Sequence, residues 1–294
     1  MTPGPAVAAD GTICAASNAG IRHAIDLGSG KDRWSFDAQQ SYGNDLSTTP
    51  VVLPDGRIVW PGPGNQLYLL TPEGRVVSTT RLDGFVLSPA FDSARSILYA
   101  QDMSGRLWSF AVTPKALRKR WTLDLGAGSY ASAAVTPDGS VRAAAGNDLV
   151  AIVDHVNLGA VTWHFPTEDL IEVSPAIGPD GAAVIGSNDP FEYAVNADGS
   201  LRWRFRKDSE TYGSPAIHNG NAVFGDHRGR VHTVAMATGR TVATALSEQK
   251  PSRSRSVGIW TSPAIDRDGN YPALTNDGTL LIGSSNGILY AIRD

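Results

Sequence analysis

One phrase returns seven times along this 294-residue chain: a small residue with Pro-Ala or a close variant, then Asp-Gly, a β-branched run, a Gly/Asn turn and often a Trp. Its markers are Pro5, Pro50, Pro89, Ala133, Pro175, Pro215 and Pro263, spaced by 45, 39, 44, 42, 40 and 48 residues. A unit of that size holds one four-stranded antiparallel blade, and such a unit buries its faces only against its neighbours. The repeat therefore predicts an all-β chain, a seven-bladed β-propeller. A single domain over residues 1–294 is expected, although length alone would allow two.

The fifth unit shows how the punctuation works. Asp180-Gly181 and Asp198-Gly199 are tight turns, and Ser187 to Pro190 is a third. Between them lie an apolar run from Ala183 to Gly186, a strand from Glu192 to Asn196 and an outer strand from Leu201 to Phe205. In the outer strands Trp34 and Phe36, Trp163 and Phe165, and Trp203 and Phe205 stand two apart, hence on one face. These rings are expected to pack between blades, where twisted sheets leave wedge-shaped gaps. The seventh unit ends at Asp294 after three strands, so the last blade is expected to be incomplete or to be finished by residues near Met1.

Bulk properties narrow the function. A net charge of −4 and a pI near 5.9 remove the broad basic footprint of a nucleic-acid binder. Cys14 is the only cysteine, which excludes an intramolecular disulfide and a cysteine-based zinc cluster. No apolar run reaches the ~18 residues of a membrane span, and MTPGPAVAADG is not a signal peptide. The chain reads as soluble as written, with an extracytoplasmic location if a leader once preceded Met1.

Blade seven, DGTLLIGSSNGILYAI, and blade one, DGTICAASNAGIRHAIDLGSGKDRWSF, carry the pattern DG, GS-N-G, LYA and G-x-x-x-W-x-F. Nearly the whole chain thereby resembles the PQQ-like repeat. That repeat is shared by quinoprotein dehydrogenases, by the propeller lipoprotein of the outer-membrane β-barrel assembly machinery and by bacterial sensor domains. The resemblance implies architecture and leaves activity open. The quinoproteins have eight blades and a vicinal disulfide against the cofactor; this chain has seven markers and one Cys, so no quinone cofactor is expected. The assembly lipoprotein is closer in scale, but its lipid-attached N-terminal Cys has no counterpart here.

In a propeller, the loops leading into the innermost strands and the turns between second and third strands open on one face, at the mouth of the channel. The residue two before each motif's small residue forms a column there: Thr2, Ser47, Val86, Tyr130, Glu172, Tyr212 and Trp260. Tyr130, Tyr212 and Trp260 offer flat faces to a ligand and Glu172 a polar anchor, with Glu168, Asp169 and Glu210 nearby. Two long loops add Tyr42 and Asp45 in one, and Arg255 in the other. No metal-site, phosphate-loop or nucleophile-elbow motif occurs, and no cofactor or metal is expected. His227 lies in a second-to-third-strand turn and could meet Glu172.

The expected function is thus a binding module holding a protein, peptide, glycan or small molecule at the mouth. A cofactor-independent lyase, isomerase or cyclase using Glu172, His227 or Asp45 is the alternative. A sensor or assembly domain of a longer chain is a third.

Overall fold

The computed structural model describes residues 5–16, 21–37, 48–211, 213–226, 228, 230–246, 280–283 and 289–292. Among them there is no helix. They form six four-stranded antiparallel sheets in which chain order equals spatial order, and one further two-stranded hairpin, Leu280–Gly283 with Leu289–Ile292. The seventh marker, Pro263, lies outside the described residues, as do the ends of the chain where closure of a last blade was expected.

Each innermost strand begins at the residue after its marker: Ala6–Val7, Val51–Val52, Ala90–Asp92, Ala134–Val135, Ala176–Ile177 and Ala216–His218. The strands after Pro89, Ala133, Pro175 and Pro215 lie side by side in succession, as spokes meet at a hub. Proline suits that position because an edge strand needs no donor on its open side. The small residue before it has its own task. The Thr49 N–H donates to Ser88 Oγ at 3.1 Å, Ser132 N–H to Ser174 Oγ at 2.9 Å and Ser174 N–H to Ser214 Oγ at 2.8 Å. The serine of one motif thus ties its sheet to the one before.

The second strands, among them Ile97–Gln101, Val141–Ala145 and Ala183–Gly186, are buried along their whole length. That is why their sequence is continuously apolar and small rather than alternating. Outer strands carry a device invisible in the sequence. In all six sheets the pairing of third and outer strands shifts by one residue, leaving Arg33, Val77, Arg120, Thr162, Arg202 and Val242 unpaired. Such a bulge kinks the strand and increases its twist. In four sheets the next residue is the repeat's tryptophan.

The bulge sets Trp34, Trp121, Trp163 and Trp203 against the following sheet. Trp34 Nε1 donates to Pro72 O at 2.7 Å, Trp163 Nε1 to Ala197 O at 3.0 Å and Trp203 Nε1 to Met236 O at 2.8 Å. Each of these tryptophans packs on a turn glycine two or three residues beyond its acceptor. A Cβ on Gly74 would stand 2.6 Å from Trp34, and one on Gly199 or Gly239 would stand 2.7 Å from Trp163 or Trp203. These glycines also hold positive φ, so both space and backbone select them. The aromatic pairs read from the sequence are inter-sheet packing.

Cys14 is buried with Ile58, Trp60 and Leu70, and burial pushes its thiol up to about 12. At about pH 8 only about one thiol in 10⁴ is then ionised. The native chain should resist iodoacetamide and take up one equivalent once unfolded in urea. Labelling of native and unfolded protein at similar rates contradicts this packing.

Candidate functional site

After the outer strands Val76–Arg81, Leu117–Asp124, Leu158–Pro166 and Leu201–Arg206 the chain crosses the end of the channel to reach the next sheet, and the described turns between second and third strands open at that same end. Loop 167–171 shows how such a crossing is built. Thr167 N–H donates to Asn147 O at 2.8 Å and Ile171 N–H to Gly146 O at 2.9 Å, both in the turn of its own sheet. From the next sheet, Asn188 N–H donates to Leu170 O at 2.9 Å and Ser187 Oγ to Asp169 O at 2.8 Å. Ser129 Oγ closes the set on Ile171 O at 2.5 Å. With its backbone bonded from three sides, the loop holds Leu170 outward on a rigid base.

Beside it the loop carrying Tyr130 packs as closely. A Cβ on Gly128 would fall 2.2 Å from Met103 O, so only glycine lets this loop lie on the neighbouring turn. Between the two loops is a cleft of about 220 Å³ lined by Met103, Tyr130, Leu170, Ile171 and Glu172 over a floor that includes Gly128 and Gly146. Ile171 is buried, whereas Tyr130 and Leu170 are each 47% exposed and Met103 is 37% exposed. Three large apolar side chains exposed around one depression are more than the scattered singles of an ordinary surface. Glu172 stands at its edge, and its Oε2 accepts from Asn188 Nδ2 at 3.0 Å.

The crossing loops themselves are acidic. Among the described residues they hold Asp83, Glu168, Asp169, Glu172, Asp208 and Glu210, against one cation, the buried Lys207, while the exposed Arg81 and Arg206 end the outer strands that lead into them. Three of the carboxylates are neutralised at the rim by Arg106 on Asp83, Arg204 on Glu168 and Arg230 on Asp208. Asp169 and Glu172 have no such cation among the described residues.

Below the rim the charged groups serve the framework. Asp102, fully buried, accepts from the N–H groups of Gly84, Ser104 and Arg106 and from Trp108 Nε1 at 2.7 Å. Asp226 takes the same place three sheets on, bonded by the N–H of Arg228 and Arg230 and facing His232 Nε2 at 3.4 Å. Burial acts to raise the Asp226 carboxyl, but the bonds from His232 and the backbone outweigh it and hold it below the ordinary range. Lys207 and Glu192 are both wholly buried, 3.2 Å apart. Lys207 Nζ also donates to Ser187 O at 3.3 Å, which anchors the start of the next crossing loop. Burial pushes Glu192 up, and the neighbouring ammonium offsets this only in part.

Of the residues singled out from the sequence, Tyr130 and Glu172 come together in the cleft. Tyr42, Asp45, Tyr212, His227, Arg255 and Trp260 lie outside the described residues. The described histidine of that region, His232, is buried against Asp226 as a brace for its turn. Met103 and Leu170 were missed. Leu170, which with Ile171 interrupts the polar stretch from Thr167 to Glu172, was the available signal.

A larger cavity of about 570 Å³ opens at the opposite end of the channel, lined by Phe91, Pro137, Pro175, Pro179 and Pro215 among others. Its one carboxylate among the described residues, Asp92, is bonded to Arg95 Nε at 2.5 Å. Volume favours this cavity, but the convergence of exposed apolar groups with an available carboxylate favours the smaller cleft.

Comparison with known proteins bears on this geometry. A family profile described as outer membrane protein assembly factor BamB matches residues 17–155 and 105–294. No curated protein matches the chain. The crystal structure of BamB from Moraxella catarrhalis superposes with a TM-score of 0.71 at 17% identity, covering 99% of this chain and 82% of that one. At that identity the likeness is one of fold, a propeller of PQQ-like repeats.

Proposed function

The chain belongs to the family of outer membrane protein assembly factor BamB, and from that premise we propose that it is a protein-docking module that receives its partner at the mouth. Seven repeats spaced near 42 residues and the described hairpin after Pro263 support a single seven-bladed ring over residues 1–294. The family's description supports an extracytoplasmic place of work. No described helix is long and apolar enough to cross a membrane.

One observation carries the docking reading: Met103, Tyr130 and Leu170 are exposed around a cleft whose walls are held by backbone hydrogen bonds. A surface that is both apolar and rigid loses little entropy when covered, which is what a stable contact needs. A cleft of about 220 Å³ also lies below the ~300 Å³ at which small-molecule sites begin. It suits a side chain of another protein better than a free substrate.

Tyr130→Ala and Leu170→Asp test this. Both positions are half-exposed, so the melting temperature should stay nearly unchanged while affinity for the partner falls by about 1 to 2 kcal/mol or more for each. Quantitative co-purification after cross-linking in cells that normally make the chain reads the loss. Recovery of the same proteins in the same amounts with both variants contradicts the reading.

A further inference from the structure

The cleft is apolar along its sides and anionic at one edge. We propose that it takes an arginine side chain of the docking partner, with the stem between Leu170 and Tyr130 and the guanidinium on Glu172. This rests on the docking reading above and adds the chemistry of what docks.

Three observations select that occupant. The first is charge: the described crossing loops carry six carboxylates and no exposed cation, and on the Asp169–Glu172 stretch no arginine of this chain pairs with a carboxylate among the described residues. An acidic partner segment would be repelled there.

The second is the carboxylate itself. Asn188 Nδ2 holds Glu172 Oε2 at 3.0 Å, which orients the group and leaves Oε1 to accept from a newcomer. A guanidinium, with donors spread in a fork, meets a carboxylate held in this way better than a point-like ammonium does. The third is the wall. Tyr130 and Leu170 offer apolar surface on either side of an aliphatic stem, and Met103 adds to it.

Chemical-shift titration of the full chain distinguishes this inference from the reading beneath it. The probes are acetyl-Leu-Arg-Leu-amide, the same peptide with citrulline, a neutral isostere of arginine, and agmatine, which has the cation without a peptide backbone. The arginine peptide should move the amide signals of Tyr130, Gly146, Leu170 and Glu172. The citrulline peptide and agmatine should each bind at least about tenfold more weakly. Glu172→Gln should abolish the preference for arginine over citrulline without lowering the melting temperature, because the amide keeps the shape and loses only the charge.

Equal binding of the arginine and citrulline peptides, or a preference that survives Glu172→Gln, overturns the arginine assignment and leaves docking at the mouth standing. Agmatine binding as tightly as the peptide overturns it in favour of a small free cation. Silence of the cleft signals with every probe overturns it as well, and docking is then judged by the Tyr130→Ala and Leu170→Asp co-purification alone.

Discussion

Replacing Lys207 by Met is expected to lower the stability of the fold by about 3 to 5 kcal/mol, because it leaves the Glu192 carboxylate buried without its cation. Lys207 and Glu192 are both fully enclosed, and Glu192 Oε1 has no hydrogen-bond partner even with the lysine present. The double variant Lys207→Met with Glu192→Leu should recover most of the loss, since two apolar side chains of similar size need no charge to face them. The deficit of the single variant also depends on pH. Glu192 in the folded chain already titrates above the ordinary carboxyl value, and loss of the ammonium raises it further. A raised carboxyl favours the folded state below its ordinary pKa and penalises it above the raised one, so the deficit should shrink as pH falls through that window. Urea melts over a range of pH check all three statements. A single variant as stable as the wild type, or a deficit that grows in acid, contradicts the burial described.

Trp203→Ala should cost about 3 to 5 kcal/mol, the usual range for removing a buried tryptophan. Trp203 is 7% exposed and packs with Phe224, Val234 and Met236 of the following sheet. Trp163 is only partly buried, and its removal should cost less, about 2 kcal/mol. Gly239→Ala should approach the Trp203 effect from the other side, because the added methyl meets the ring and the backbone there has φ of 69°. If Trp203→Ala and Trp163→Ala melt at the same denaturant concentration, burial does not control the contribution of these rings.

The framework was legible because its signals are local. Proline at an open edge, Asp-Gly in a hairpin turn and an apolar run of four or five residues each dictate the conformation of their own neighbourhood. All six described innermost strands accordingly begin at the residue after their marker. The bulge before the tryptophan was not legible. Arg33, Arg120 and Arg202 share that place with Val77, Thr162 and Val242, so residue type does not announce it.

The candidate site was half legible for a related reason. Counting back from the motif reached Tyr130 and Glu172, because equivalent places in a repeat stand on one face. It could not reach Met103 or Leu170. They join the cleft only where loop 167–171 settles on Gly146 and Asn147, and where Gly128 allows the preceding loop to lie on Met103. Such contacts join loops of different units and leave no period in the sequence.

Partner docking at the Tyr130 end of the channel, rather than at the Pro137 end, is open to direct measurement. A photoreactive benzophenone side chain can be placed at Tyr130 or Leu170 on one end and at Pro137 or Pro179 on the other, in cells that normally make the chain. One protein should be captured from Tyr130 and from Leu170, Glu172→Lys should remove this adduct, and Pro137 and Pro179 should not yield it. Capture of a protein from Pro137 or Pro179, with none from Tyr130 and Leu170, would put the working face at the other end and overturn docking at the cleft.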